Sequence, residues 1–124
     1  MSISTITAGA LGEKAACELL QKQGYKILER NFRTRYGEID IIALDFSNKL
    51  ETLVFVEVKT RWNLDYGYPE EAVTPRKLRL VAQAAQFYKL THPKTPDLLR
   101  IDVVAIEVEG DRVVATRLIR NVTG

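Results

Sequence analysis

The sequence predicts a mixed α/β domain, a central sheet flanked by helices in the order α-β-β-β-α-β-β. Three observations carry this. Two stretches repeat apolar residues at helical spacing, five are strand-length runs of β-branched, aromatic and other apolar residues, and glycine or proline marks most of the joins. The chain has 124 residues, which fits a single domain spanning residues 1–124.

Residues 8 to 23 read as the first helix, because Leu11, Ala15, Ala16, Leu19 and Leu20 recur on one face. Gly24 stops it in the manner of a C-terminal glycine. Residues 25 to 34 read as a strand ending in arginines. Residues 37 to 46 and 51 to 61 read as the next two strands, joined by Ser47-Asn48-Lys49-Leu50 as a four-residue hairpin loop. Residues 62 to 73 read as irregular, with Gly67 and Pro69 among them. Thr74-Pro75 opens the second helix, threonine as N-cap and proline at the first helical position. It runs to about Leu90 with Leu78, Val81, Ala82, Ala85 and Tyr88 buried, and Pro93 and Pro96 close it. Residues 100 to 108 and 112 to 119 are two more strands around a two-residue Gly110-Asp111 turn of type II′. The connection from the third strand through the second helix to the fourth is long enough for a parallel crossover.

Composition narrows the function classes. One cysteine, Cys17, allows neither an internal disulfide nor a zinc cluster. No signal peptide or long apolar run is visible, so the expectation is a soluble, cytoplasmic protein with no membrane partner. A net charge of +2 does not by itself mark a nucleic-acid binder.

Two segments depart from their surroundings: Gly37-Glu38-Ile39-Asp40-Ile41-Ile42 and Phe55-Val56-Glu57-Val58-Lys59-Thr60-Arg61. Each places acids in an apolar strand, where a carboxylate is costly unless paired, hydrogen-bonded or metal-bound. Phe55, Glu57 and Lys59 share a face, as do Glu38, Asp40 and Ile42. If Phe46 pairs with Glu51, Asp40 lies opposite Glu57 and Glu38 opposite Lys59. Two facing carboxylates call for a divalent cation or a raised pKa, and oxygen ligands favour Mg²⁺ or Mn²⁺. Asp40 and Glu57 would hold the ion, with the Val58 carbonyl as a further ligand. Lys59 would orient a water or neutralise charge on a phosphoryl transition state. The same residues also suit the solvated face of an antiparallel sheet, and the pattern alone leaves both readings open.

Asp followed by Glu-x-Lys on a hairpin resembles the PD-(D/E)xK nuclease superfamily. More specifically, Gly12-Glu13, Gly24-Tyr25, Arg30-Asn31, Gly37-Glu38-Ile39-Asp40, Phe55-Val56-Glu57-Val58-Lys59 and Thr74-Pro75-Arg76-Lys77 resemble the YraN family of uncharacterised bacterial proteins, itself similar to Holliday-junction resolvases. Ile39 stands where the superfamily's name has proline. The resemblance implies a restriction-endonuclease-like fold and catalytic roles for Asp40, Glu57 and Lys59. It implies lesser roles for Glu13, since resolvase-like proteins place a glutamate on the first helix, and for Gln83, since superfamily members supply a glutamine or lysine from the second. It also implies a homodimer on symmetric substrates.

Arg30, Arg33, Arg35, Arg61, Arg76 and Lys77 flank the acidic segments and are candidate phosphate contacts. Trp62, Tyr66 and Tyr68 are candidates for stacking on unpaired bases. Charge runs are usually solvated, and loop aromatics are usually packed down. His92 reads as exposed loop with no role, and Asp102 as the structural partner of Arg100. The leading expectation is a metal-dependent phosphodiesterase acting on DNA, with branched or structured DNA as a candidate substrate; the alternatives are a non-catalytic nucleic-acid-binding module and a structural or adaptor protein.

Overall fold

The computed structural model describes residues 8–47, 49–62 and 67–123. Helix α1 (Ala8–Lys22) ends where expected, at Gly24, whose φ of +91° is a backbone region that disfavours side chains. Strand β1 (Tyr25–Thr34) runs antiparallel to β2 (Gly37–Asp45), and β2 antiparallel to β3 (Thr52–Arg61). A 3₁₀ turn at Pro69–Ala72 precedes helix α2 (Pro75–Thr91). Strands β4 (Leu99–Glu109) and β5 (Arg112–Ile119) follow. The sheet order is β1-β2-β3-β4-β5. β4 lies parallel to β3, as the crossover requires, and antiparallel to β5.

The two helices cover opposite faces. On α1's side, Ala16 and Leu20 pack on Tyr25, Ile41, Ala43, Val54, Val56, Val104 and Ile106. On α2's side, Val81, Ala84, Ala85 and Tyr88 pack on Ile39, Ile42, Leu53, Phe55 and Ile101. Burying one side chain the size of Phe55 contributes about 1.5–3 kcal/mol. α1 approaches β3 closely at Gly12, where an added Cβ would lie 2.1 Å from Thr60 Oγ1. Thr74 caps α2 by accepting the Lys77 N–H at 3.2 Å.

Three local expectations change. The β2–β3 loop is longer than four residues, since the strands end at Asp45 and restart at Thr52. The Asp45–Thr52 pair still keeps the register that a Phe46–Glu51 pair would have set. Among the described residues of the stretch expected to be irregular, Pro69–Ala72 form a 3₁₀ turn, and the Tyr68 N–H before it donates to Glu71 Oε1 at 2.7 Å. His92 is not exposed loop. It ends α2 half-buried, its ring stacked 3.8 Å from that of Tyr88, because the C-terminal turn folds it back over the preceding helix.

Candidate active site

The β2–β3 ladder stops at Ile41–Val56, while both outer ladders continue. β1 and β2 stay paired to Thr34–Gly37, and β3 and β4 to Arg61–Glu107. The sheet therefore splits in its middle, and Asp40 and Glu57 are the first residues past the last shared pair. Asp40 bridges the opening, its Oδ2 accepting the Val58 N–H at 2.7 Å. In a strand the N–H and C=O of one residue face the same neighbour, so the Val58 carbonyl also looks into the split.

A twist in β1 helps place Asp40. Asn31 falls opposite Asp40, between the pairs Arg30–Ile41 and Phe32–Ile39, and its φ is +54°. Alternation shifts there. Phe32 and Ile39 join the α2 side, while Glu38 moves toward α1. The expected Glu38–Lys59 pairing is therefore not formed. Glu38 instead accepts from Arg33 Nε at 3.1 Å, and with the Asn31 amide turned so that its nitrogen faces the acids it accepts from that nitrogen at 2.9 Å.

Asp40 and Glu57 come together as expected, within hydrogen-bonding reach of each other. Burial, then the hydrogen bond and charge of Glu57, push the Asp40 carboxyl up to about 7. The Val58 N–H and the Lys59 charge pull the other way without prevailing. Glu57 is 3% exposed, and its Oε2 accepts no hydrogen bond. Lys77 Nζ lies 3.3 Å from that oxygen, off the line of a hydrogen bond, so the oxygen has a counter-charge but no donor. The cluster thus joins two acids and two lysines, with half-buried Lys59 on the Glu57 face of β3.

The other expected residues divide. Glu13 is tied into an ion pair with Arg30 at 3.3 Å, and the same turn of the Asn31 amide brings its nitrogen within 3.2 Å of Glu13 Oε1. Among the described residues no three His, Cys, Asp or Glu side chains gather as a metal cluster, so Glu13 stands apart from the acid pair. Gln83 is exposed on the face of α2 turned from the sheet, because the buried stripe of Val81, Ala84, Ala85 and Tyr88 lies opposite it. It does not enter the site. Lys77, expected as a phosphate contact, takes that place. Its signal was in the sequence, since Lys77, Val81, Ala84, Ala85 and Tyr88 fall on one helical face.

Arg33 is 83% exposed beside Glu38, and Arg76 is exposed at the start of α2. Exposed Arg35 donates to Tyr36 Oη at 2.9 Å, its guanidinium 5.0 Å from the ring centre. Arg61 is half-buried in register with Glu107. Trp62 is exposed, Tyr68 lies under the Arg117 guanidinium, and Tyr66 lies outside the described residues.

The model of Uncharacterised protein family UPF0102, the YraN family, matches residues 12–106. The chain belongs to UPF0102. That span contains every motif of the acid cluster and the start of α2. A UPF0102 protein of Syntrophomonas wolfei is 48% identical over 104 residues, covering 84% of this chain and 87% of its own. One from Symbiobacterium thermophilum is 47% identical over 113 residues, covering 91% and 92%. Among solved structures, that of Pyrococcus furiosus SfsA in complex with Ca²⁺ aligns with 90% of this chain and 61% of its own, at 13% identity and a TM-score of 0.30. Among the described residues, no helix of this UPF0102 chain is long and apolar enough to cross a membrane.

Proposed function

We propose that the chain is a metal-dependent nuclease of restriction-endonuclease-like fold, cutting phosphodiesters in DNA. The observation that carries this reading is the buried Asp40–Glu57 pair at the mouth of the split sheet, with one carboxylate oxygen lacking a donor. A fold that buries two facing carboxylates and leaves an acceptor open loses stability unless the site serves a ligand. The donors are all oxygen and hard, which fits Mg²⁺ or Mn²⁺. Two carboxylates also suit the way Mg²⁺ keeps waters and takes substrate phosphate oxygens for the rest of its shell.

Asp40, Glu57 and the Val58 carbonyl would hold the ion. Once bound, it would polarise the scissile phosphate and acidify a water. Asp40 must give up its proton for this, so the site favours pH above about 7. Lys59 offers a compact cation to the water or to phosphate charge. Arg33, Arg35 and Arg76 offer exposed positive charge to the backbone of the nucleic acid. A homodimer would present two such sites to a symmetric, branched substrate.

The test is to incubate pure protein with labelled branched, single-stranded and duplex DNA, with Mg²⁺, Mn²⁺ or chelator. Wild type should cleave only with metal. Glu57→Gln should lose cleavage by roughly 10²-fold or more while still binding DNA. Lys59→Ala should keep the metal and lose rate. A second reading, a non-catalytic nucleic-acid-binding module, is favoured by Lys77, which already gives Glu57 a protein counter-cation. DNA binding with no metal-stimulated cleavage on any substrate would establish that reading instead.

A further inference from the structure

We propose that Lys77 is an exchangeable counter-cation: it neutralises Glu57 while the site lacks a divalent ion, and the arriving ion displaces it. This rests on the metal-dependent reading above.

Four features support the exchange. Glu57 is 3% exposed, so its charge needs a partner at all times, and Lys77 Nζ is the cation 3.3 Å away. The contact is one of charge only, since Glu57 Oε2 takes no hydrogen bond from it. A divalent ion offers that oxygen a shorter, stronger partner. The Lys77 side chain is 35% exposed, so its ammonium has a path to water without any movement of α2. The backbone beneath it is fixed, its N–H held by Thr74 Oγ1.

Charge balance requires the movement. Asp40 and Glu57 together carry at most two negative charges. A divalent ion cancels both, and Lys59 and Lys77 would then face it as two uncompensated cations. Lys77 also sits in the first turn of α2, at the positive end of the helix dipole and next to Arg76. A cation there is disfavoured without an anion. Glu57 supplies one in the metal-free protein. After displacement, the freed ammonium, Arg76 and the helix end would together face an incoming phosphate.

The measurement is Mn²⁺ binding, followed by the EPR signal of free Mn²⁺ at about pH 8, where Asp40 has largely released its proton. It needs no turnover. Lys77→Met removes the competitor and keeps the side chain's apolar length, so it should bind Mn²⁺ at least about fivefold more tightly than wild type. Lys77→Arg keeps the charge, holds a carboxylate better and should bind Mn²⁺ more weakly than wild type. Should Lys77→Met fold poorly, the Lys77→Arg comparison still decides the matter. The order Met, Lys, Arg, from tightest to weakest, supports the exchange. Mn²⁺ binding to wild type that is equalled or exceeded by Lys77→Arg, or that weakens in folded Lys77→Met, would overturn the exchange and leave the nuclease reading standing. Mn²⁺ binding to none of the three would overturn both.

Discussion

Asp40 and Asp45 lie five residues apart on β2, about 17 Å along an extended strand, and their environments drive them in opposite directions. Asp45 is fully buried. Burial would raise its carboxyl, but hydrogen bonds from Ser47 and Arg100 outweigh that and hold it below the ordinary carboxylate range. Its neighbour across the sheet, Asp102, is equally buried and takes hydrogen bonds from Arg100, Tyr25 and the Asn121 N–H. Burial and the Asp102 hydrogen bond push the Tyr25 hydroxyl up to about 12, so it remains a donor. Every carboxylate oxygen of this cluster has a partner, which closes one end of the sheet. Around Asp40 the same materials are left incomplete. One strand thus carries a finished charge cluster and an unfinished one, and the unfinished one marks the candidate site. Burial of charge is common to both; what differs is the missing donor.

The largest effect should come from breaking the finished cluster. Arg100→Ala strands Asp45 and Asp102 in the core and should cost about 3–5 kcal/mol in urea denaturation. A loss under about 1 kcal/mol would mean that the closed network contributes little.

The unfinished cluster should respond the opposite way. The Asp40 carboxyl is raised in the folded chain, so its contribution to stability is full at low pH. That contribution is lost as pH climbs from the ordinary aspartate value through about 7, because the unfolded chain ionises freely and the folded one resists. Asp40→Asn should therefore be more stable than wild type at about pH 8, by on the order of 2 kcal/mol, and the gain should vanish below about pH 4. Denaturation across pH, without divalent ions, checks this. A variant that is less stable at about pH 8 would place Asp40 with the finished cluster.

The smallest effect should be at Gln83. It belongs to neither cluster, so Gln83→Ala should change stability by less than about 0.5 kcal/mol in urea denaturation. A marked loss would return that helix face to the site.

The strand pairing was legible because alternation has a period of two, so one assumed pair, Phe46–Glu51, sets the register that brings Asp40 to Glu57. The Asp102–Arg100 partnership was legible for the same reason, the two being neighbours on one strand face. The split was not, because ladder periodicity says where strands can pair and not where they stop. The shift at Asn31 was also hidden. Asparagine tolerates a positive φ, but nothing in Arg30-Asn31-Phe32 requires one, and it was this turn that moved Glu38 away from Lys59. The choice between Gln83 and Lys77 was a matter of helix phase. The resemblance pointed to a glutamine or lysine on this helix, and the apolar stripe selects Lys77 over Gln83. Glu13 was named from the resemblance, and its pairing with Arg30, 17 residues away, comes about only in the fold.

The Val58 amide is a main-chain hydrogen held by a side chain rather than by a neighbouring strand. Its exchange with solvent deuterium is therefore coupled to what the Asp40 carboxyl is doing. Amides within the flanking ladders open only with their strands, whereas this one is released whenever Asp40 turns to another partner. A single backbone proton in the middle of the sheet thus reports on the state of one buried carboxyl.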